Sequence, residues 1–94
     1  MAKWIYTLNS GSDLREAIEN DDLETTAQCL VSCAKELYNQ LSEDDKTYRG
    51  DAVEDLIDCV TADIDYGDVN EDELNDYLDD FYDICDDVRA WVGI

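Results

Sequence analysis

The stretch from Asn70 to Val92 constrains the fold of this chain more than any other. Its apolar residues recur at 3.6-residue spacing, which predicts one amphipathic helix. Asn70 is a favourable N-cap, and Glu73 stands at the spacing of a capping box. The predicted apolar stripe comprises Leu74, Tyr77, Leu78, Phe81, Ile84, Cys85, Val88, Trp91 and Val92. A stripe this broad has to be buried, so the rest of the chain is expected to pack against it.

The opposite face of this predicted helix carries aspartates with no lysine among them. Glu and Lys at four-residue spacing would stabilise an exposed helix, and Asp is a poorer helix former than Glu. The row from Asp72 to Asp87 spans about 22 Å, or one charge per ~3.7 Å, near the ~3.4 Å per phosphate of one DNA strand. The row comprises Asp72, Asp76, Asp79, Asp83 and Asp86, flanked by Asp80 and Asp87.

The whole sequence predicts an all-α fold, a small helical bundle in a single domain over residues 1–94. Three long amphipathic helices and a short one follow an extended N-terminal arm. The other predicted elements are the arm over 3–8, a short helix over 13–20 capped by Ser12, a helix from Asp21 or Asp22 to about Leu41, a polar linker over 42–50 and a long helix from about Asp51 to Tyr66. The arm either crosses the helices or forms half of a small strand pair, for which residues 90–94 are a candidate partner.

The two remaining long helices differ in their outward faces. The helix that ends near Leu41 turns a nearly neutral face outward, whose members are Thr25, Gln28, Ser32, Lys35, Glu36 and Asn39. The helix that ends at Tyr66 carries a second acidic row: Asp51, Glu54, Asp55, Asp58 and Asp65. Gly67 and the short link to Asn70 predict an antiparallel hairpin of the last two helices. Such a hairpin would place both acidic rows side by side.

The charge of the chain is concentrated in its second half. The formal net charge is −20, and residues 48–94 hold 16 acidic and 2 basic residues, against 10 and 4 in residues 1–47. A surface of this sign repels nucleic acid and anionic membranes and attracts basic proteins. Adaptation to high salt would spread the acid over every helix, and the near-neutral second helix argues against it. We therefore expect a basic nucleic-acid-binding protein as partner.

The sequence offers no pattern for catalysis, for a metal or for a cofactor. Histidine is absent, so the commonest general base and metal ligand is missing. Residues 63–73 resemble a calcium loop, but Gly67, Asp68 and Leu74 occupy positions where the EF-hand pattern requires other residues. The cysteines Cys29, Cys33, Cys59 and Cys85 lie in predicted helices at spacings that suit neither a disulfide framework nor zinc, which predicts buried, reduced thiols. We expect no enzymatic activity, no cofactor and no metal site.

Taken together, the small size, acidic helical rows and lack of histidine and proline resemble the DNA-mimic inhibitors encoded by phages and mobile elements. The resemblance covers residues 48–94 and rests on surface properties rather than on a sequence motif. Anti-CRISPR proteins, anti-restriction proteins and uracil-DNA glycosylase inhibitors belong to this class. Residues 1–9 lack the apolar core of a signal peptide and no apolar run is long enough to span a membrane, so we expect neither. The resemblance implies a cytoplasmic protein of a bacterial host cell that occupies the nucleic-acid-binding surface of a CRISPR effector or restriction enzyme.

Two other interpretations of the acidic rows stay open. Immunity proteins of the colicin type, and antitoxins, are also small acidic helical proteins, and they neutralise a basic nuclease by binding at or beside its active site. A phage or prophage protein with a structural or interaction role could carry the rows as a merely solvated face. The sequence also leaves open whether the chain forms a homodimer through its aromatic ends.

Overall fold

The computed structural model of the chain describes residues 4–92. Its helices form a bundle, which confirms the predicted all-α class, and its two short strands pair in parallel. In chain order the elements are β1 (Tyr6–Thr7), α1 (Gly11–Glu19), α2 (Leu23–Gln40), α3 (Glu43–Asp45), a π-helical segment (Lys46–Gly50), α4 (Asp51–Tyr66), α5 (Glu71–Val88) and β2 (Ala90–Trp91).

The hydrophobic core lies where α1, α2, α4 and α5 meet. Helix α2 packs on α1, α4 and α5, and α4 packs on α5. Each of the four helices contributes fully buried side chains, among them Leu14, Leu30, Val53, Phe81 and Ile84. Burial of a side chain of this size contributes about 1.5–3 kcal/mol. This shared core holds α4 and α5 together against the repulsion between their charges.

Three predicted helix boundaries are confirmed by local geometry. Helix α2 begins after Asp22, whose carboxylate accepts hydrogen bonds from the Thr25 amide at 3.1 Å and the Thr25 hydroxyl at 2.8 Å. Helix α4 ends at Gly67, which adopts a left-handed conformation with φ of 71°. Helix α5 begins after Asn70, whose side-chain oxygen accepts a hydrogen bond from the Glu73 amide at 2.9 Å.

The start of α1 differs from the prediction, because its cap comes from another helix. The helix begins at Gly11, so Ser12 lies inside it, and Ser10 at the N-cap makes no side-chain capping bond. Instead, the Glu36 carboxylate of α2 accepts hydrogen bonds from the amides of Asn9 at 2.8 Å and Ser10 at 3.0 Å. Glu36, predicted to face solvent, is therefore half-buried.

We expect Glu36→Gln to lower the free energy of unfolding by about 2 kcal/mol at neutral pH, since it removes charge-assisted hydrogen bonds at a helix N-terminus. Burial alone would raise the pKa of Glu36, but the Asn9 and Ser10 amides outweigh it and lower the pKa. A lowered folded pKa means stability that is present above pH ~4.5 and lost as pH falls through the folded pKa. Urea denaturation of both proteins should show a difference that shrinks below pH 4.5. A difference independent of pH would contradict the account.

The predicted polar linker over 42–50 is wrong, because most of it is helical. Ser42 accepts a hydrogen bond from the Asp45 amide at 3.3 Å and so begins α3, which continues through the π-helical segment into α4. The hydroxyl of Tyr6 donates to the carboxylate of Asp45 and accepts from the Ser42 amide at 3.0 Å. Tyr6 thus stabilises the start of α3 from nearly forty residues away in the chain. A contact over this distance cannot be predicted from the local sequence.

The C-terminal end of the last predicted helix is also wrong, since α5 stops at Val88. Arg89 has a φ of 61° and ends the helix in a left-handed conformation. The chain then pairs with the N-terminal arm: the Ile5 amide donates to Arg89 O at 2.7 Å and the Leu8 amide donates to Trp91 O at 2.8 Å. Trp91, assigned to the helical stripe, is 43% exposed in β2. The arm is therefore half of a strand pair, although residues 3, 93 and 94 of the predicted pair lie outside the described residues.

Leu23 is another departure from the predicted apolar stripes. It is the first residue of α2 and is 37% exposed rather than inward-facing. At this end of the helix it borders open surface depressions beside Ile64 and Leu74 rather than the closed core, so the 3.6-residue period overstates its burial.

Candidate protein-interaction surface on helices α4 and α5

Helices α4 and α5 lie side by side and run antiparallel. At one end, Arg49 Nε, just before α4, lies 3.5 Å from the Asp87 Oδ2 atom near the end of α5. At the other end, the Tyr77 hydroxyl of α5 donates a hydrogen bond of 2.9 Å to the Asp63 Oδ2 atom of α4. Contacts at both ends hold the two helices in register.

All twelve carboxylates predicted to bind a partner are exposed to solvent. We call this set the acidic face. Its members are Asp51, Glu54, Asp55, Asp58 and Asp65 on α4, and Asp72, Asp76, Asp79, Asp80, Asp83, Asp86 and Asp87 on α5. The buried residues of the same helices, such as Val53 and Phe81, lie on their other sides. The acidic face therefore takes no part in the core.

Basic side chains neutralise little of the acidic face. Within residues 4–92, Asp87 is its one member with an ion pair, and the partner is Arg49. Arg15 pairs with Glu19 on α1 at 3.3 Å, and Lys46 Nζ lies 5.1 Å from the centre of the Tyr38 ring. The sequence prediction did not include Arg49, because its contact with Asp87 depends on the antiparallel packing of the two helices.

A groove of about 280 Å³ runs between α4 and α5 and joins the two acidic rows. Asp55 of α4 and Asp80 and Asp83 of α5 line it together with apolar side chains and Arg49. The Arg49 Nε atom is shielded from solvent and has no hydrogen-bond acceptor among residues 4–92, since 3.5 Å to Asp87 is too long for a strong hydrogen bond. The full lining is Arg49, Ala52, Asp55, Leu56, Cys59, Tyr77, Asp80, Asp83 and Ile84.

Like charges also meet at the hairpin end of α4 and α5. The pKa of Glu73 is raised, first by a side-chain hydrogen bond with Asp63 and then by the negative charge of Asp63. Burial, followed by the Asp63 hydrogen bond, raises the pKa of Tyr77 to about 12. Asp63, which sequence reasoning placed in a rejected calcium loop, thus connects two side chains of α5. Over the described part of the chain, no group of three or more potential ligands is arranged to hold a metal ion.

The four cysteines are free thiols and differ in exposure. Burial raises the pKa values of Cys33 and Cys85 to about 12, and burial also raises that of Cys29, which is half-buried. Cys59 departs from the prediction of buried thiols, because it is exposed and lines the groove.

We expect the melting temperature to rise when sodium chloride is raised from about 0.01 M to 0.1 M, because the screening length falls from ~30 Å to ~10 Å. The acidic face holds twelve carboxylates and one ion pair within residues 4–92, so repulsion outweighs attraction there. Differential scanning calorimetry at both salt concentrations measures this. A flat or falling melting temperature would show that the carboxylates are paired in solution.

Comparison of the chain with models of known protein families, with curated proteins and with solved structures finds no match. None of the helices in residues 4–92 has both the length and the apolar character needed to cross a membrane.

Proposed function

We propose that this chain is an inhibitor that binds the basic nucleic-acid-binding surface of a target protein as a DNA mimic. A host defence nuclease, such as a CRISPR effector or a restriction enzyme, is the kind of target that this surface fits. The single observation that carries the proposal is the acidic face, with twelve exposed carboxylates on two adjacent helices. A site that accepts phosphates through Arg and Lys side chains would accept such a surface.

The spacing of the charges supports mimicry of nucleic acid. Along α5 the aspartates average one charge per ~3.7 Å of axis, against ~3.4 Å per phosphate on one strand of DNA. The second acidic row, on α4, runs beside the row on α5 because the two helices pack against each other. Two neighbouring rows therefore present charge along two lines, as the two phosphate backbones of a duplex do.

The short side chains of the aspartates favour a geometric role over simple solvation. An Asp carboxylate is close to the helix, so its position follows the backbone more closely than that of Glu. The packing of α4 and α5 through the common core keeps both rows in place before binding. A surface that is already in its binding conformation loses little conformational entropy on association.

Affinity capture tests the proposal. The chain is immobilised and exposed to bacterial lysate at about 0.05 M and 0.3 M sodium chloride, and the eluted proteins are identified by mass spectrometry. A captured protein that binds DNA or RNA, and is retained less at the higher salt, is the expected result, because electrostatic association weakens as salt rises. Retention of a partner that does not bind nucleic acid, at both salt concentrations alike, would contradict the proposal.

A further inference from the structure

The groove between α4 and α5 gives the acidic face an apolar concave surface. Charge repulsion and solvation of the carboxylates do not account for this surface. Its walls combine apolar side chains, including Leu56 and Ile84, with carboxylates from both helices. A face that only carries charge into solvent needs no apolar concavity. A concave site with few polar groups is the usual form of a recognition pocket.

We propose that this groove receives one arginine side chain of the partner, with its guanidinium group among Asp55, Asp80 and Asp83. The proposal rests on the proposed function and deepens it, because it names the partner group that anchors the complex. A central anchor side chain in a pocket is how many protein interfaces concentrate their binding energy.

The charges of the groove select a cationic side chain. The three aspartates come from two different helices, so they would contact a bound cationic group from two sides. Within residues 4–92 none of the three has an ion pair of its own. A guest cation would therefore find acceptors that no side chain of the described chain already uses.

The shape and walls of the groove favour arginine over lysine. Leu56 and Ile84 can cover the aliphatic part of a long side chain while its charged end stays at the carboxylates. A planar guanidinium can bind carboxylates through paired hydrogen bonds and can stack on an aromatic ring such as that of Tyr77, which also lines the groove. The ammonium group of lysine is more strongly hydrated, so it loses more on entering a partly apolar groove.

Two features make a side chain a better fit than a free small molecule. The groove volume of about 280 Å³ lies just below the ~300–1,000 Å³ typical of small-molecule pockets. Arg49 of this chain is itself part of the groove wall, and its Nε atom lies 3.5 Å from Asp87, which is outside the lining. The lining thus already includes one arginine side chain together with Asp55, Asp80 and Asp83.

Two peptides of nine residues, one of arginine and one of lysine, serve as probes in isothermal titration calorimetry at about 0.15 M salt. We expect the full chain to bind the arginine peptide about tenfold more tightly than the lysine peptide. The groove variant Asp80→Asn/Asp83→Asn should lose this preference. The control variant Asp72→Asn/Asp86→Asn removes the same charge from the same helix at positions that do not line the groove. It should keep the preference while binding both peptides slightly less tightly.

Cys59 provides a second measurement that does not depend on the aspartate variants. Because this exposed thiol lines the groove, an arginine side chain seated there should slow its reaction with a disulfide reagent. The reaction is followed in a Cys29→Ser background, since Cys33 and Cys85 are buried. The arginine peptide should protect Cys59 more than the lysine peptide does at equal saturation.

The outcomes separate this inference from the proposed function. Equal affinity of the unaltered chain for both peptides would show that the groove is not an arginine site. The same conclusion would follow if both double variants lost the same affinity and kept the preference for arginine. In either case the acidic face would act as a uniform electrostatic surface. If neither peptide bound the unaltered chain, both the inference and the proposed function would be wrong.

Discussion

Replacing Gly11 with alanine is expected to lower the free energy of unfolding by about 3 kcal/mol, the upper part of the range for an overpacked position. A Cβ atom at Gly11 would overlap the carbonyl oxygen of Val92, so the backbone on one side has to move. Moving the C-terminal segment would break the 2.8 Å hydrogen bond from the Leu8 amide to Trp91 O and uncover the buried Val92 side chain. Without this contact, alanine within α1 would instead stabilise the helix by about 0.5–1 kcal/mol.

The matched control is the same change at Gly67. There a Cβ atom would meet no atom of residues 4–92 within 4 Å, and the cost comes from the left-handed φ of 71°, about 1–2 kcal/mol. Urea denaturation of the three proteins gives the comparison, and hydrogen exchange at the Ile5 and Leu8 amides shows whether the strand pair opens. A Gly11→Ala protein that is as stable as the unaltered chain would contradict the close packing of the two termini.

Changing Asp76, Asp79 and Asp83 together to asparagine is expected to weaken partner binding by several kcal/mol, because charge pairs desolvated in an interface are each costly to break. Single changes should each cost less than about 1 kcal/mol, as is usual for exposed charges. The melting temperature should stay or rise, since the change removes like charges three and four residues apart on α5.

The control for this triple change is a triple substitution on α2, at Gln28, Lys35 and Asn39, which are all exposed on its nearly neutral face. Binding of the captured partner is measured by surface plasmon resonance for both variants. If the α2 variant lost binding while the Asp76/Asp79/Asp83 variant kept it, the acidic face would be only a solvated surface.

Features encoded in adjacent residues were predictable from the sequence. Asn70, Asp22 and Gly67 mark helix boundaries through their own side chains or backbone, and their roles are confirmed. The acidic rows were also predictable, because the helix period places every member of a row on one side of its helix. The structure finds all twelve members exposed.

Features that depend on distant parts of the chain were not predictable. Glu36 caps α1 from another helix, and Tyr6 holds the turn at Ser42 and Asp45 from the N-terminal arm. The groove and the contact of Arg49 with Asp87 arise only when α4 and α5 lie against each other. Sequence periodicity gives the faces of single helices but not the side chains that meet between them.

Competition with nucleic acid tests the central claim most directly. The captured partner is held at fixed concentration with its duplex DNA or RNA ligand labelled with a fluorophore, and fluorescence anisotropy follows displacement of that ligand by this chain. The DNA-mimic account predicts full displacement, with an apparent Kd for the chain that rises in proportion to the nucleic acid present. A stable ternary complex, with the nucleic acid still bound and the affinity of the chain unchanged, would contradict it and would point to binding beside the nucleic-acid site, as an immunity protein can.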